Sequence, residues 1–344
     1  MFRRACAVTA AAVIAPLLTF SPGSTAAVSY VALGDSYASG TGTGAFIDDG
    51  SSCQRSVHAY PSLIAAARGY SLIFRACSGA TVADVTNAQL GALSASTSRV
   101  TISVGGNDAG FTDVLTECAL PAWASDCAGA VTGARSYISG SLPSSLATLY
   151  GRIRSKAPNA KVVAVGYPRI FNGEDCNALT WFSPADETAL NGTADLINAR
   201  ISTAAKAAGF TFVNPTAPFV GHAVCDSPEW LNGLSNPISE SYHPNRAGHA
   251  NGLTPLVSGP LGAGAVAVTS AVTAAAESSA GTLARQQRVH AAADATITPE
   301  RFVVPDLDSP RVRAAARRAG VDLTSRASID RADREHAQAE GAQR

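Results

Sequence analysis

Three short runs carry the residue types of acyl-transfer chemistry: Gly34-Asp35-Ser36, Gly105-Gly106-Asn107-Asp108 and Ser241-Tyr242-His243-Pro244-Asn245. A serine hydroxyl becomes a strong nucleophile when an imidazole takes its proton, and the oxyanion that forms needs N–H donors aimed at it. Ser36 offers the hydroxyl, His243 the imidazole and Asn107 a side-chain NH2. Taken singly, each run is weak. Gly-Asp-Ser and Gly-Gly-Asn-Asp are common turns, and a lone histidine is more often structural. His58, His222, His249, His290 and His336 are read as structural.

The elements around these runs give them a common place. Apolar β-like stretches at 28–33, 71–76, 100–104, 161–166 and 210–214 alternate with Ala- and Leu-rich stretches of helical length at 59–68, 133–156 and 184–208. Short apolar strands separated by helices predict an α/β fold. Its architecture is three-layer α/β/α, with a central parallel sheet of about five strands covered on both faces. In such sheets the binding crevice lies beyond the carboxyl ends of the strands. Ser36 and Asn107 each follow a predicted strand directly. Pro244 suits the first position of a helix, which would hold His243 near that helix start, facing the crevice.

Composition and processing signals point outward from the cell. Arg3 and Arg4, the apolar run from Ala5 to Phe20 and the small residues up to Ala27 have the three parts of a secretory signal, assigned to residues 1–27. The run is interrupted by Pro16 and is too short to span a bilayer, so secretion without stable membrane insertion is expected. Setting aside Cys6, six cysteines remain: Cys53, Cys77, Cys118, Cys127, Cys176 and Cys225. An even set in an exported chain reads as a disulfide framework, and pairing in sequence order is the simplest arrangement. No zinc-like spacing occurs, and no metal or other cofactor is expected. A formal net charge of zero, without a basic patch, gives no reason to expect nucleic acid. The catalytic domain is placed at 28–262. Residues 263–344 are rich in Ala and Arg, have Phe302 as their only aromatic residue, and are expected to form a flexible or loosely docked tail.

The three runs in this order resemble the SGNH (GDSL) hydrolases, closest to their secreted bacterial lipase, esterase and phospholipase branch. The resemblance rests on "YVALGDSYASGTG", "ACSGAT" at 76–81, "ISVGGND" and "SYHPNRAGH", and covers about 28–260. It implies the flavodoxin-like SGNH hydrolase fold, Ser36 as nucleophile and His243 as general base. The implied oxyanion donors are the Ser36 and Gly79 backbone N–H groups and the Asn107 side chain. Much of the family orients the histidine with an aspartate three residues earlier, where this chain has Glu240. The Ser241 main-chain carbonyl is the expected partner instead, with Glu240 as the alternative. No Gly-x-Ser-x-Gly is present, against an ordinary nucleophile elbow. In this frame Cys53–Cys77, Cys118–Cys127 and Cys176–Cys225 would staple loops on the active-site side.

The implied activity is carboxylic ester hydrolysis by a monomer, on an ester or lipid substrate. Acetylated polysaccharide is an alternative substrate, and an inactive exported binding module a competing class. Phe46, Ile47, Trp123, Phe171, Trp181, Phe182, Phe219 and Trp230 lie in predicted loops and are candidates to line an acyl cleft.

Overall fold

The computed structural model describes residues 27–299 and 301–341, together with residues 1, 2 and 5. The signal assigned to 1–27 lies almost wholly outside the described residues. Five strands form the centre: β1 (Ser29–Gly34), β2 (Ser71–Phe74), β3 (Arg99–Ser103), β4 (Lys161–Val165) and β5 (Thr211–Val213). All pair in parallel, in the order β2-β1-β3-β4-β5.

The two-residue period of the strands sorts their side chains into two cores. Tyr30, Ala32, Val163 and Val165 pack with the helices Tyr60–Arg68 and Thr254–Leu261. Val31, Leu33, Val162 and Ala164 pack with Leu142–Lys156 and Pro184–Ala207 on the opposite face. Both faces of the sheet are thus covered, which is why its strands are nearly continuous apolar runs. From β1 the chain goes outward to β2, then returns across β1 to β3. This reversal of winding direction opens a crevice at the carboxyl ends of β1 and β3.

Two helical details differ from the sequence reading. The stretch expected as one helix over 133–156 is divided into Cys127–Gly140 and Leu142–Lys156, with Pro143 in the first turn of the second, where its missing N–H costs nothing. A further helix, Phe111–Cys118, follows the Asn107 turn. The three disulfides join Cys53 to Cys77, Cys118 to Cys127 and Cys176 to Cys225, as the sequence order suggested. Among the described residues no helix is long and apolar enough to cross a membrane.

The tail departs from the expected loose extension. It forms helices at Ser270–Ser278, Ala280–Arg288, Pro310–Ala319 and Arg326–Gly341 that pack on the domain. Its composition cannot build a core of its own, so it borrows one. Ala276, Leu283 and Phe302 join the core on the Tyr60–Arg68 side, while Val312, Ala316 and Ile329 cover Trp123 and Trp181.

A buried ion cluster adds to this docking. Asp294 of the tail meets the Arg75 guanidinium at 2.7 Å and that of Arg55 at 3.0 Å, and Asp49 meets Arg55 at 2.7 Å. Arg55 and Arg75 are fully buried, and two guanidiniums opposite two carboxylates leave no net charge in the interior.

Candidate active site

Each residue of Gly34-Asp35-Ser36 has a separate local task. Gly34 closes β1 with φ +128°, and a Cβ there would lie 2.3 Å from the Ser103 carbonyl oxygen on β3, so only glycine fits. The Asp35 carboxylate then caps the single helical turn Ser36–Ser39 by accepting from the Tyr37 N–H at 3.0 Å. Ser36 is left at the first position of that turn, above the crevice.

Two loops meet Ser36. Cys77 N–H donates to the Gly34 carbonyl at 2.9 Å and Ser78 N–H to that of Cys53 at 3.0 Å, which draws the Cys77–Gly79 loop over the end of β1. Gln89, fully buried, both donates to and accepts from the Gly34 backbone at 2.9 and 2.8 Å. From the β3 side, the Asn107 side chain donates to the Ala80 carbonyl at 3.0 Å, and the Asp108 carboxylate accepts from the Val82 N–H. Ser36, Gly79 and Asn107 accordingly border the same cleft, together with His243.

The histidine arrives from the far end of the domain. Its Nε2 lies 2.8 Å from the Ser36 Oγ and its Nδ1 2.8 Å from the Ser241 carbonyl oxygen. Glu240 does not reach the imidazole: its carboxylate accepts from the Gly44 backbone, and burial raises its pKa. Burial pushes the His243 imidazole down to about 4, against the bond to the Ser241 carbonyl, which favours the protonated ring. At neutral pH the ring is uncharged. With Nδ1–H given to Ser241, Nε2 is free to accept the Ser36 proton.

Pro244 does not start a helix. It forms an isolated bridge with Leu231, and helical structure begins only at Arg246, capped by the Asn245 side chain accepting from the Gly248 N–H at 3.0 Å. His243 is fixed instead by close backbone packing. A Cβ on Gly42 would lie 2.5 Å from the Pro244 carbonyl oxygen and 2.9 Å from the His243 Cβ.

One group at the site, Tyr167, belongs to no motif in the sequence. The buried Tyr167 hydroxyl donates to the Asp35 carboxylate at 2.5 Å and accepts from the Gly106 N–H at 3.2 Å, so it ties the serine turn to the asparagine turn. Burial pushes the Asp35 carboxyl up to about 7, against hydrogen bonds from Tyr167 and the Tyr37 N–H. The strand–loop position of Tyr167 after β4 was the one available signal.

From Ser36 the cleft runs as an apolar channel between helices. Phe111, Leu115, Ile138, Ile170, Phe171, Leu190 and Ile197 line it. Of the eight aromatic and aliphatic loop residues considered from sequence, Phe171 alone borders this cleft. Trp123 and Trp181 lie beneath the tail, Phe182 packs on Tyr242, and Phe219 on Trp230.

Known proteins resemble this chain in sequence and in fold. Residues 32–250 match the GDSL-like lipase/acylhydrolase family. Lipase 1 of Streptomyces coelicolor is 44% identical over 237 residues, which are 68% of this chain and 87% of that protein. The crystal structure of an extracellular lipase from Streptomyces rimosus superposes with a TM-score of 0.63 at 40% identity, covering 67% of this chain and 98% of that one. Phospholipase A1 from Streptomyces albidoflavus gives a TM-score of 0.64 at 42% identity, with the same coverage. On this match, the chain belongs to the GDSL-like lipase/acylhydrolase family.

Proposed function

We propose that the protein is a secreted hydrolase of fatty-acyl esters that works through a Ser36 acyl-enzyme. The 2.8 Å contact of the Ser36 Oγ with the His243 Nε2, at the mouth of an apolar channel, carries this reading. Ser36 attacks the ester carbonyl while its proton passes to the His243 Nε2. The Ser36 and Gly79 N–H groups and the second N–H of the Asn107 amide stabilise the tetrahedral oxyanion. His243 then protonates the departing alcohol. Water adds to the acyl-enzyme with the same base, and the fatty acid leaves. The Ser241 carbonyl holds the imidazole in the reactive tautomer throughout.

The channel favours long acyl groups over acetyl. An acyl chain gains about 0.8 kcal/mol per buried methylene, and an acetyl group would leave the channel unused. Secretion is supported by the three disulfides, by the signal-like leader and by the extracellular Streptomyces rimosus relative. Hydrolysis of p-nitrophenyl esters from acetate to palmitate tests the substrate class. kcat/KM should rise from acetate to a medium or long chain; a maximum at acetate would favour the deacetylase alternative.

A further inference from the structure

Tyr242 separates the orienting carbonyl of Ser241 from the imidazole of His243, and its backbone has φ +60°. An aromatic residue adopts this left-handed conformation only where its surroundings impose it. Without the reversed turn, the Ser241 carbonyl would not fold back onto the Nδ1 of His243. What imposes the turn is therefore part of the machinery. The Tyr242 carbonyl accepts from the Tyr37 hydroxyl at 2.8 Å, and its N–H donates to the Asn232 carbonyl at 3.0 Å. Its ring is fully buried among three phenylalanines: Phe182 at 5.7 Å, Phe171 at 5.9 Å and, nearest, Phe302 edge-on at 4.9 Å.

Phe302 comes from the tail, beyond the family match at 32–250. It is buried, and it is the only aromatic residue after position 262. It borders no part of the acyl cleft. Eight residues before it, Asp294 is locked to Arg55 and Arg75, so the segment that delivers Phe302 is anchored at a charged buried point.

We infer that Phe302 is a positioning residue: by closing the aromatic box around Tyr242, it holds the left-handed turn that aims His243 at Ser36. The tail thereby becomes part of the catalytic framework. This inference rests on Ser36 and His243 being the reacting pair.

The test uses the full chain with Phe302→Ala, Phe302→Leu and Arg326→Ala. Arg326 also belongs to the tail, but it stacks on Trp181 at 4.6 Å, away from Tyr242, and controls for loosening of the tail as such. Phe302→Ala should lower kcat by roughly 10-fold or more and slow fluorophosphonate labelling in parallel, with KM within about threefold, because a displaced base weakens the transition state more than binding. Phe302→Leu should recover part of that loss, and Arg326→Ala should stay within about twofold of the parent. A kcat within about twofold of the parent in Phe302→Ala would overturn the inference, as would an equal loss in Arg326→Ala. If Phe302→Ala does not fold, Phe302→Leu decides: a kcat at least roughly threefold down supports the box, and a parental kcat refutes it. An unmodified protein that is neither active nor labelled would instead sink the catalytic reading itself.

Discussion

The carbonyl oxygen of Ser241 lies 2.8 Å from the Nδ1 of His243, so the imidazole is oriented by backbone two residues before it in the chain. Glu240, one residue further back, turns its carboxylate to the Gly44 backbone instead. A carbonyl fixes the tautomer as a carboxylate would, but it contributes no full charge to the imidazolium. We therefore propose that the Glu240 side chain is dispensable for proton transfer. Glu240→Gln should keep kcat within about threefold, whereas a loss of about 100-fold with unchanged stability would make Glu240 the orienting group.

With His243 as the proposed general base, its proton uptake should set the acid side of the pH profile. Burial places its pKa at about 4, so the neutral, proton-accepting ring is retained as pH falls below the usual histidine range. The kcat/KM of an uncharged ester should hold from pH 7 to roughly pH 5 and fall only below that. Loss of activity with an apparent pKa near 6.5 would show that the free enzyme solvates His243 far more than its packing implies.

Tyr167 bridges the Asp35 carboxylate and the Gly106 N–H. Tyr167→Phe deletes both bonds in a buried setting and should destabilise the protein by about 1–3 kcal/mol. Because the serine turn and the asparagine turn lose their link, kcat should fall by roughly 10-fold with KM little changed. Chemical denaturation and ester kinetics on the same preparation check the two effects. Parental kcat in a destabilised variant would limit Tyr167 to a structural role.

Asp294 is the tail's charged anchor. Burial alone would raise its pKa, but hydrogen bonds and charge from Arg55 and Arg75 outweigh burial and lower it. A carboxylate with a depressed folded-state pKa stabilises the fold fully above the unfolded value of about 4, and that stability is lost as pH falls through the folded value. Asp294→Asn leaves a guanidinium charge uncompensated and should cost about 3–5 kcal/mol at pH 7. The difference between variant and parent should shrink toward pH 3. A constant difference across that range would mean that the charge on Asp294 is not what binds the tail.

The strands, and the segments that carry the proposed reacting groups, were legible in the sequence for one physical reason. A parallel sheet buries both faces, so its strands stand out as apolar runs, and its chemistry collects in the short segments just after them. Ser36 and Asn107 occupy such segments, and the Asp35 cap and Gly34 contact need the residue types found there. Tyr167 is as well placed, but a single tyrosine after β4 has no partner nearby in sequence. Its carboxylate partner is 132 positions away. The channel was hidden because Leu115, Ile138 and Ile197 lie on helix faces that read as ordinary core. The tail was hidden because Asp294 resembles a solvated charge in an Ala-rich stretch until Arg75, 219 positions earlier, is brought against it. Tyr242 adopts a conformation that no local propensity favours, and only the packing of distant aromatic rings reveals it.

Covalent labelling reports directly on whether Ser36 is the nucleophile that His243 activates. The intact protein, a Ser36→Ala variant and a His243→Ala variant would each be treated with a fluorophosphonate and digested, and the modified peptide located by mass spectrometry. Stoichiometric modification at Ser36 is expected in the intact protein, none in Ser36→Ala and severely slowed labelling in His243→Ala, with ester hydrolysis lost in both variants. Labelling at another serine, or hydrolysis that survives in Ser36→Ala, would contradict Ser36 as the nucleophile.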